Sequence, residues 1–232
     1  FRPPCGWPAL GPARQAVKLA VFDCDGTLVD GQAPICEAME ASFAAFSLVA
    51  PPRGLIRRAV GLSLPQAIRQ LLPESDEAQQ GAMAEAYKVA FRHAREEGRV
   101  SQPLFPGIED CLRTLHAGGW TLGVATGMSD RGLTYCLEAN GISDLFVTLQ
   151  TADRHPSKPH PAMLEEALIE AGAMPEQAVM IGDTAYDMKM AKAAGTRAVG
   201  VDWGYHHPRE LIEAGAEKVA EAPNELMEYL LT

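Results

Sequence analysis

The chain has 232 residues, of which 47 % are hydrophobic, enough for one large domain or for a core with a smaller insert. A formal net charge of −10 argues against a nucleic-acid or anionic-membrane surface, because both need a basic footprint. An anionic substrate would need local cations to draw it in. No apolar run nears membrane-spanning length. The five cysteines (Cys5, Cys24, Cys36, Cys111 and Cys136) are scattered and form no Cys-x-x-Cys, which fits reduced thiols in a cytoplasmic protein rather than a disulfide framework or a zinc site.

Residues 1–15 are rich in Pro and Gly and read as an irregular extension. Residues 19–22 are an unbroken apolar run, the pattern of a strand buried on both faces. It ends in Asp23-Cys24-Asp25-Gly26-Thr27. Open α/β sheets bind ligands at the carboxyl ends of their strands. Two acids so close repel, and they make sense together if they share a cation or if one holds a proton. A plain Asp-Gly turn is the competing reading of this stretch alone. Alternation points Cys24 away from both acids, into packing.

The period then changes. Ile35, Met39, Phe43 and Phe46 predict a helix over 33–48, stopped by Pro51-Pro52. Short helices follow at 53–60 and 65–72, then a longer one at 76–97 before Gly98. Residues 31–100 therefore read as an all-helical cap domain inserted between 16–30 and 101–232 of an α/β core. In that core, helices are expected at 108–117, 130–139, 161–171 (with Pro161 at its first position), 185–194, 208–214 and 224–231. Strands are expected at 121–125, 145–149, 178–181 and 197–201, with a weak one near Val219 and a polar loop at 150–159. This alternation predicts an α/β fold with a doubly wound, mainly parallel sheet.

Polar groups cluster at the predicted strand ends and in the polar loop: Asp23 and Asp25, Thr126-Gly127, Lys158 in Ser157-Lys158-Pro159, and Gly182-Asp183 with Asp187 four residues on. In this order they match the four motifs of the haloacid dehalogenase-like hydrolase superfamily, and the helical insert resembles the group with a cap after the first motif. That resemblance implies a Rossmann-like core and phosphoryl chemistry. The physical logic is consistent with it. A phosphate monoester repels a carboxylate nucleophile, so Asp23 needs a cation. Asp23, Asp183 and a backbone carbonyl near Asp25 offer the hard oxygen ligands that suit Mg2+. Attack by Asp23 gives an aspartyl-phosphate. Asp25 is placed to move protons to the leaving oxygen and from water. Lys158, the Thr126 hydroxyl and the Gly127 amide would hold the phosphoryl oxygens. The resemblance adds Asp187 as a supporting metal-site residue.

Within the superfamily, Asp25 resembles the phosphotransferases rather than the dehalogenases or phosphonatases. Sugar-phosphate mutases share both acids, but their characteristic His and basic cap residue would fall at Ile35 and Leu64. Val60-Gly61-Leu62-Ser63-Leu64 and Gly200-Val201-Asp202-Trp203-Gly204-Tyr205 look like phosphoglycolate phosphatases. The expectation is a Mg2+-dependent phosphatase of a small phosphorylated metabolite, phosphoglycolate foremost, with no nucleic-acid or membrane partner, as a monomer or homodimer. A mutase and a catalytically silent binding module are the alternatives. Arg57, Arg58 and Ser63 are the cap candidates for substrate specificity.

Overall fold

The computed structural model describes residues 17–232, so the expected extension over 1–15 lies outside the described residues. Six strands form one parallel sheet: β1 (Lys18–Phe22), β2 (Trp120–Thr126), β3 (Phe146–Thr151), β4 (Ala178–Gly182), β5 (Arg197–Val201) and β6 (Lys218–Ala220), in the spatial order β3-β2-β1-β4-β5-β6. Val21 registers with Gly123 on one side and Met180 on the other. The direction of winding reverses at β1, and at such a reversal the connections leave a crevice at the carboxyl edge.

Helices cover both faces. Ala20 and Phe22 of β1 pack in one layer with α5 (Ile108–Ala117), α6 (Asp130–Ala139) and α10 (Pro223–Leu231). Leu19 and Val21 pack in the other with α7 (Ala162–Ala171), α8 (Ala185–Ala194) and α9 (Pro208–Ala214). The apolar run of β1 therefore serves two cores through its period of two. Cys24 continues the Phe22 face, with its Sγ 3.8 Å from that of Cys136.

Between β1 and α5 lie only helices: α1 (Gln32–Ala45), α2 (Arg53–Arg58), α3 (Leu64–Leu71) and α4 (Glu77–Glu96). They have their own apolar cluster, with Met39 and Phe43 of α1 against Ile56, Ile68 and Met83. Asp76 caps α4 by accepting from the Gln79 amide, which satisfies one of its free N–H groups.

Several boundaries shift from the expectation: the helix expected over 33–48 ends at Ala45, that over 53–60 at Arg58, and the strand expected over 121–125 runs from Trp120 to Thr126. β3 runs on through Gln150 and Thr151, into what hydropathy marks as loop, because their side chains find partners: Gln150 donates to Thr148 and Glu170, and Thr151 donates to Asp130. Pro161 stands at the N-cap of α7 rather than at its first turn.

Phe22 is wholly buried at the centre of one layer. Phe22→Ala should lower unfolding free energy by about 3–5 kcal/mol in urea titration, the cost of removing a buried aromatic side chain.

Candidate active site

The site is assembled where β1, β2 and β4 end. After Phe22 the chain turns sharply through Gly26, whose φ of +84° is left-handed. A Cβ there would lie 2.3 Å from Asp183 Oδ2 and 2.7 Å from the Tyr205 ring, so the turn also has to pass close to β4's acid. Asp183 is held from two sides: Thr27 Oγ1 donates to its Oδ1 at 2.9 Å and the Tyr205 amide to its Oδ2 at 2.9 Å. Asp187 lies in the first turn of α8. There Thr184, the N-cap, donates to Asp187 Oδ2 from its hydroxyl at 2.6 Å and its amide at 3.1 Å.

Lys158 reaches in from the loop after β3. Its Nζ lies 2.9 Å from Asp23 Oδ1 and 2.7 Å from Asp187 Oδ1, with the whole side chain buried. Burial alone would pull this lysine down, but Asp187 and Asp23 outweigh it and hold the ammonium above its usual range. The Cys24 amide also donates to Asp23 Oδ1, at 2.7 Å. Asp23 Oδ2 is buried and has no partner among the described residues. Burial raises the Asp23 carboxyl well above its ordinary range; Lys158 opposes this, and Asp187 and Asp183 add to it. Asp183 is likewise raised to about 7, by burial first and then by Asp187.

Ligand oxygens of Asp23, Asp183 and Asp187 all lie within 4.8 Å of one another, buried. Three carboxylates against one ammonium leave negative charge uncompensated. The three donors are hard oxygens held close together out of water. This set fits a small divalent cation such as Mg2+. The Asp25 side chain is outside the group, so only its backbone carbonyl remains for such an ion.

Asp25 faces the cavity instead. Gln102 Nε2 donates to Asp25 Oδ1 at 3.2 Å, and a Cβ on Gly31 would collide with the same oxygen at 2.3 Å. Burial raises Asp25 to about 6, with the Gln102 hydrogen bond the largest opposing effect. A cavity of about 510 Å³ brings Asp23, Asp25, Thr126, Gly127 and Ser63 together. Gly127 is pressed against the helical insert: a Cβ on it would lie 2.4 Å from the Leu62 carbonyl oxygen. The Ser63 amide donates to Ser157 Oγ at 2.8 Å, pinning the same loop.

Arg57 and Arg58 are not brought to the cavity. Helix α2 turns Ile56 inward and both arginines outward. Arg57 donates to Gln32, and Arg58 spends its guanidinium on Glu210, at 2.6 and 3.0 Å. The cavity is lined instead by Arg92, Arg95 and Arg131, which the sequence reading passed over, as it did Gln102. Lys88, Arg92 and Arg95 follow one another by four and three residues, a one-sided stripe visible in the sequence. Gln102 carries no such signal.

A family model described as haloacid dehalogenase-like hydrolase matches residues 20–201. A protein named "Probable phosphatase IndB" from Dickeya dadantii is 36 % identical over 215 residues, covering 90 % of this chain and 91 % of the relative. A phosphoglycolate phosphatase from Vibrio vulnificus is 27 % identical, covering 94 % and 98 %. Among solved structures, a hydrolase from Pseudomonas syringae superposes with a TM-score of 0.81 at 25 % identity, covering 92 % of this chain and 97 % of the other.

The raised carboxyl of Asp183 sets a pH dependence. Its folded form binds a proton more tightly than the unfolded chain, where an aspartate titrates near about 3.9. Stability of metal-free protein should therefore be greatest near and below about pH 4 as far as this group goes, and be lost as pH rises through about 7. Urea titrations across that range should show the decline, Asp183→Asn should flatten it, and added Mg2+ should stabilise more at pH 8 than at pH 5.

Proposed function

This chain belongs to the haloacid dehalogenase-like hydrolase family, and from that premise we propose that it is a Mg2+-dependent phosphatase that hydrolyses a small phosphate monoester through an aspartyl-phosphate on Asp23. The observation that carries the proposal is the asymmetry of Asp23. One oxygen is pinned by Lys158 and the Cys24 amide while the other is buried and unpartnered among the described residues, in a residue that borders the cavity. A carboxylate so oriented is a nucleophile with its attack direction fixed.

Asp23 Oδ2 forms the bond to phosphorus as the ester oxygen leaves. Asp25 gives that oxygen its proton, then takes one from the water that attacks the acyl phosphate, releasing phosphate and restoring Asp23. A carboxyl held near about 6 is suited to both transfers at neutral pH. The Thr126 hydroxyl and the Gly127 amide hold phosphoryl oxygens, and Lys158 favours the ionised form of Asp23 and orients it. Asp23, Asp183, Asp187 and the Asp25 carbonyl would hold Mg2+, which would supply the charge that lets a dianion approach a carboxylate. The phosphoglycolate phosphatases among its relatives favour that metabolite as substrate. Ile35 and Leu64 line the cavity as apolar groups, which weighs against a sugar-phosphate mutase.

With Mg2+ present, phosphate release from p-nitrophenyl phosphate should fall by about 10⁴-fold or more in Asp23→Asn and stop on chelation. Steady turnover by that variant would overturn the mechanism. Gln102→Leu should lower kcat/KM about tenfold more for alkyl phosphates than for p-nitrophenyl phosphate, because only the poor leaving group depends on a well-held Asp25 proton.

A further inference from the structure

We infer that Arg92, Arg95 and Arg131 form a second anion subsite in the cavity, and that the substrate is a phosphate monoester whose leaving group carries another negative charge, as carboxylate or phosphate. This deepens the phosphatase reading and rests on it.

The first observation is how the arginines are distributed. Every other arginine of the described residues is held by a carboxylate or by a glutamine side chain. Arg92, Arg95 and Arg131 have neither among the described residues, and all three line the one cavity that also contains Asp23 and Asp25. In a chain of net charge −10, acidic partners are plentiful, so this gap is local. Asp153, which also lines the cavity, accepts from the Asp130 amide.

The second observation is the state of Arg95. Its guanidinium carbon lies 4.3 Å from the centroid of the Tyr135 ring and 5.4 Å from that of Phe91. Stacking on rings holds the plane of the cation and leaves its N–H edge to donate. Its Nε is buried and finds no acceptor among the described residues. A desolvated donor left unpaired costs about 1–3 kcal/mol. An anion in the cavity would remove that cost.

The third is that the placements carry small local penalties, screened by water where Arg92 and Arg131 are exposed. Arg92 and Arg95 are neighbours on one face of α4, and like charges at that spacing repel. Arg131 lies in the first turn of α6, where the helix macrodipole disfavours a cation. Two oxygens of a carboxylate or phosphate would offset these penalties and pair Arg95 Nε through charge-assisted hydrogen bonds. The cavity that holds the three arginines and Asp23 measures about 510 Å³.

The test compares three matched esters with Mg2+-loaded protein: phosphoglycolate, ethylene glycol bisphosphate and the uncharged-tail 2-hydroxyethyl phosphate. Both turnover and calorimetric binding are read. We expect the charged-tail esters to exceed 2-hydroxyethyl phosphate at least tenfold in kcat/KM. Arg95→Gln, and separately the mouth variant Arg131→Gln, should shrink that ratio by about 10- to 100-fold, the worth of a charged hydrogen bond. Arg113→Gln, a surface arginine held by Glu109, should keep the ratio. The ratio between the two charged esters tells carboxylate from phosphate. Turnover of all three esters without discrimination, or an equal loss on all three in both variants, would overturn the subsite and leave the phosphatase reading intact. Arginine-dependent binding of the charged esters with no turnover of any ester would keep the subsite and overturn the phosphatase reading. Absence of both preferential binding and turnover would overturn both.

Discussion

One buried ammonium decides the electrostatics of this molecule. Lys158 stands between Asp23 and Asp187 with no exposure to water. Charges removed from solvent are tolerated only when paired and hydrogen-bonded, so a lysine here requires the acids, and the acids require the lysine. Asp187 is further satisfied by Thr184, and Asp183 by Thr27 and the Tyr205 amide. Of these three acids, only Asp23 keeps an oxygen without a partner among the described residues. Among the carboxylate oxygens of these three acids, the one left open is therefore the atom proposed to react.

The sheet order is what makes such a network possible. Asp23 and Asp183 end adjacent strands, because β1 and β4 pair directly although about 160 residues separate those acids in the sequence. Parallel strands point the same way, so their carboxyl ends meet on one edge. The remaining wall comes from the helical insert. Its Gly61–Leu62 carbonyls press on Gly127, and the Ser63 amide bonds Ser157, one residue before Lys158. The insert thus contacts both the Thr126-Gly127 turn and the loop that carries the lysine. A Cβ at Gly127 would force them apart, which gives that glycine a reason independent of its φ.

Most of the core was legible in the sequence because strand ends are punctuated. Apolar runs stop at Asp23, Thr126 and Asp183, and both period and composition change there. The boundary of β3 was less legible, since Gln150 and Thr151 are polar by composition yet buried through specific partners. The cap residues were the hardest. Arg57 and Arg58 sit near a glycine-containing loop in sequence, but helical rotation turns them outward while Ile56 faces in. Gln102 lies in the return segment before α5 and meets Asp25 only because two linkers run side by side: Asp30 donates from its amide to the Pro103 carbonyl at 2.9 Å. No spacing within either linker encodes that meeting.

Two kinds of positive charge stand near Asp23, one buried behind it and one lining the cavity before it, and they differ in what they can be used for. Lys158 is committed to carboxylates of the chain itself, whereas Arg92, Arg95 and Arg131 are uncommitted among the described residues. No hydrogen bond or ion pair joins those arginines to the Lys158 network among the described residues, so one set can change without unpairing the other. Bond-breaking chemistry is then fixed at the sheet edge, where any substitution leaves a buried charge unpaired. The proposed recognition of the leaving group falls to arginines on α4 and at the start of α6, which take no part in the Lys158 network among the described residues. A family built on this plan can keep one reaction and vary its substrates by changing a helical surface that the buried network does not depend on.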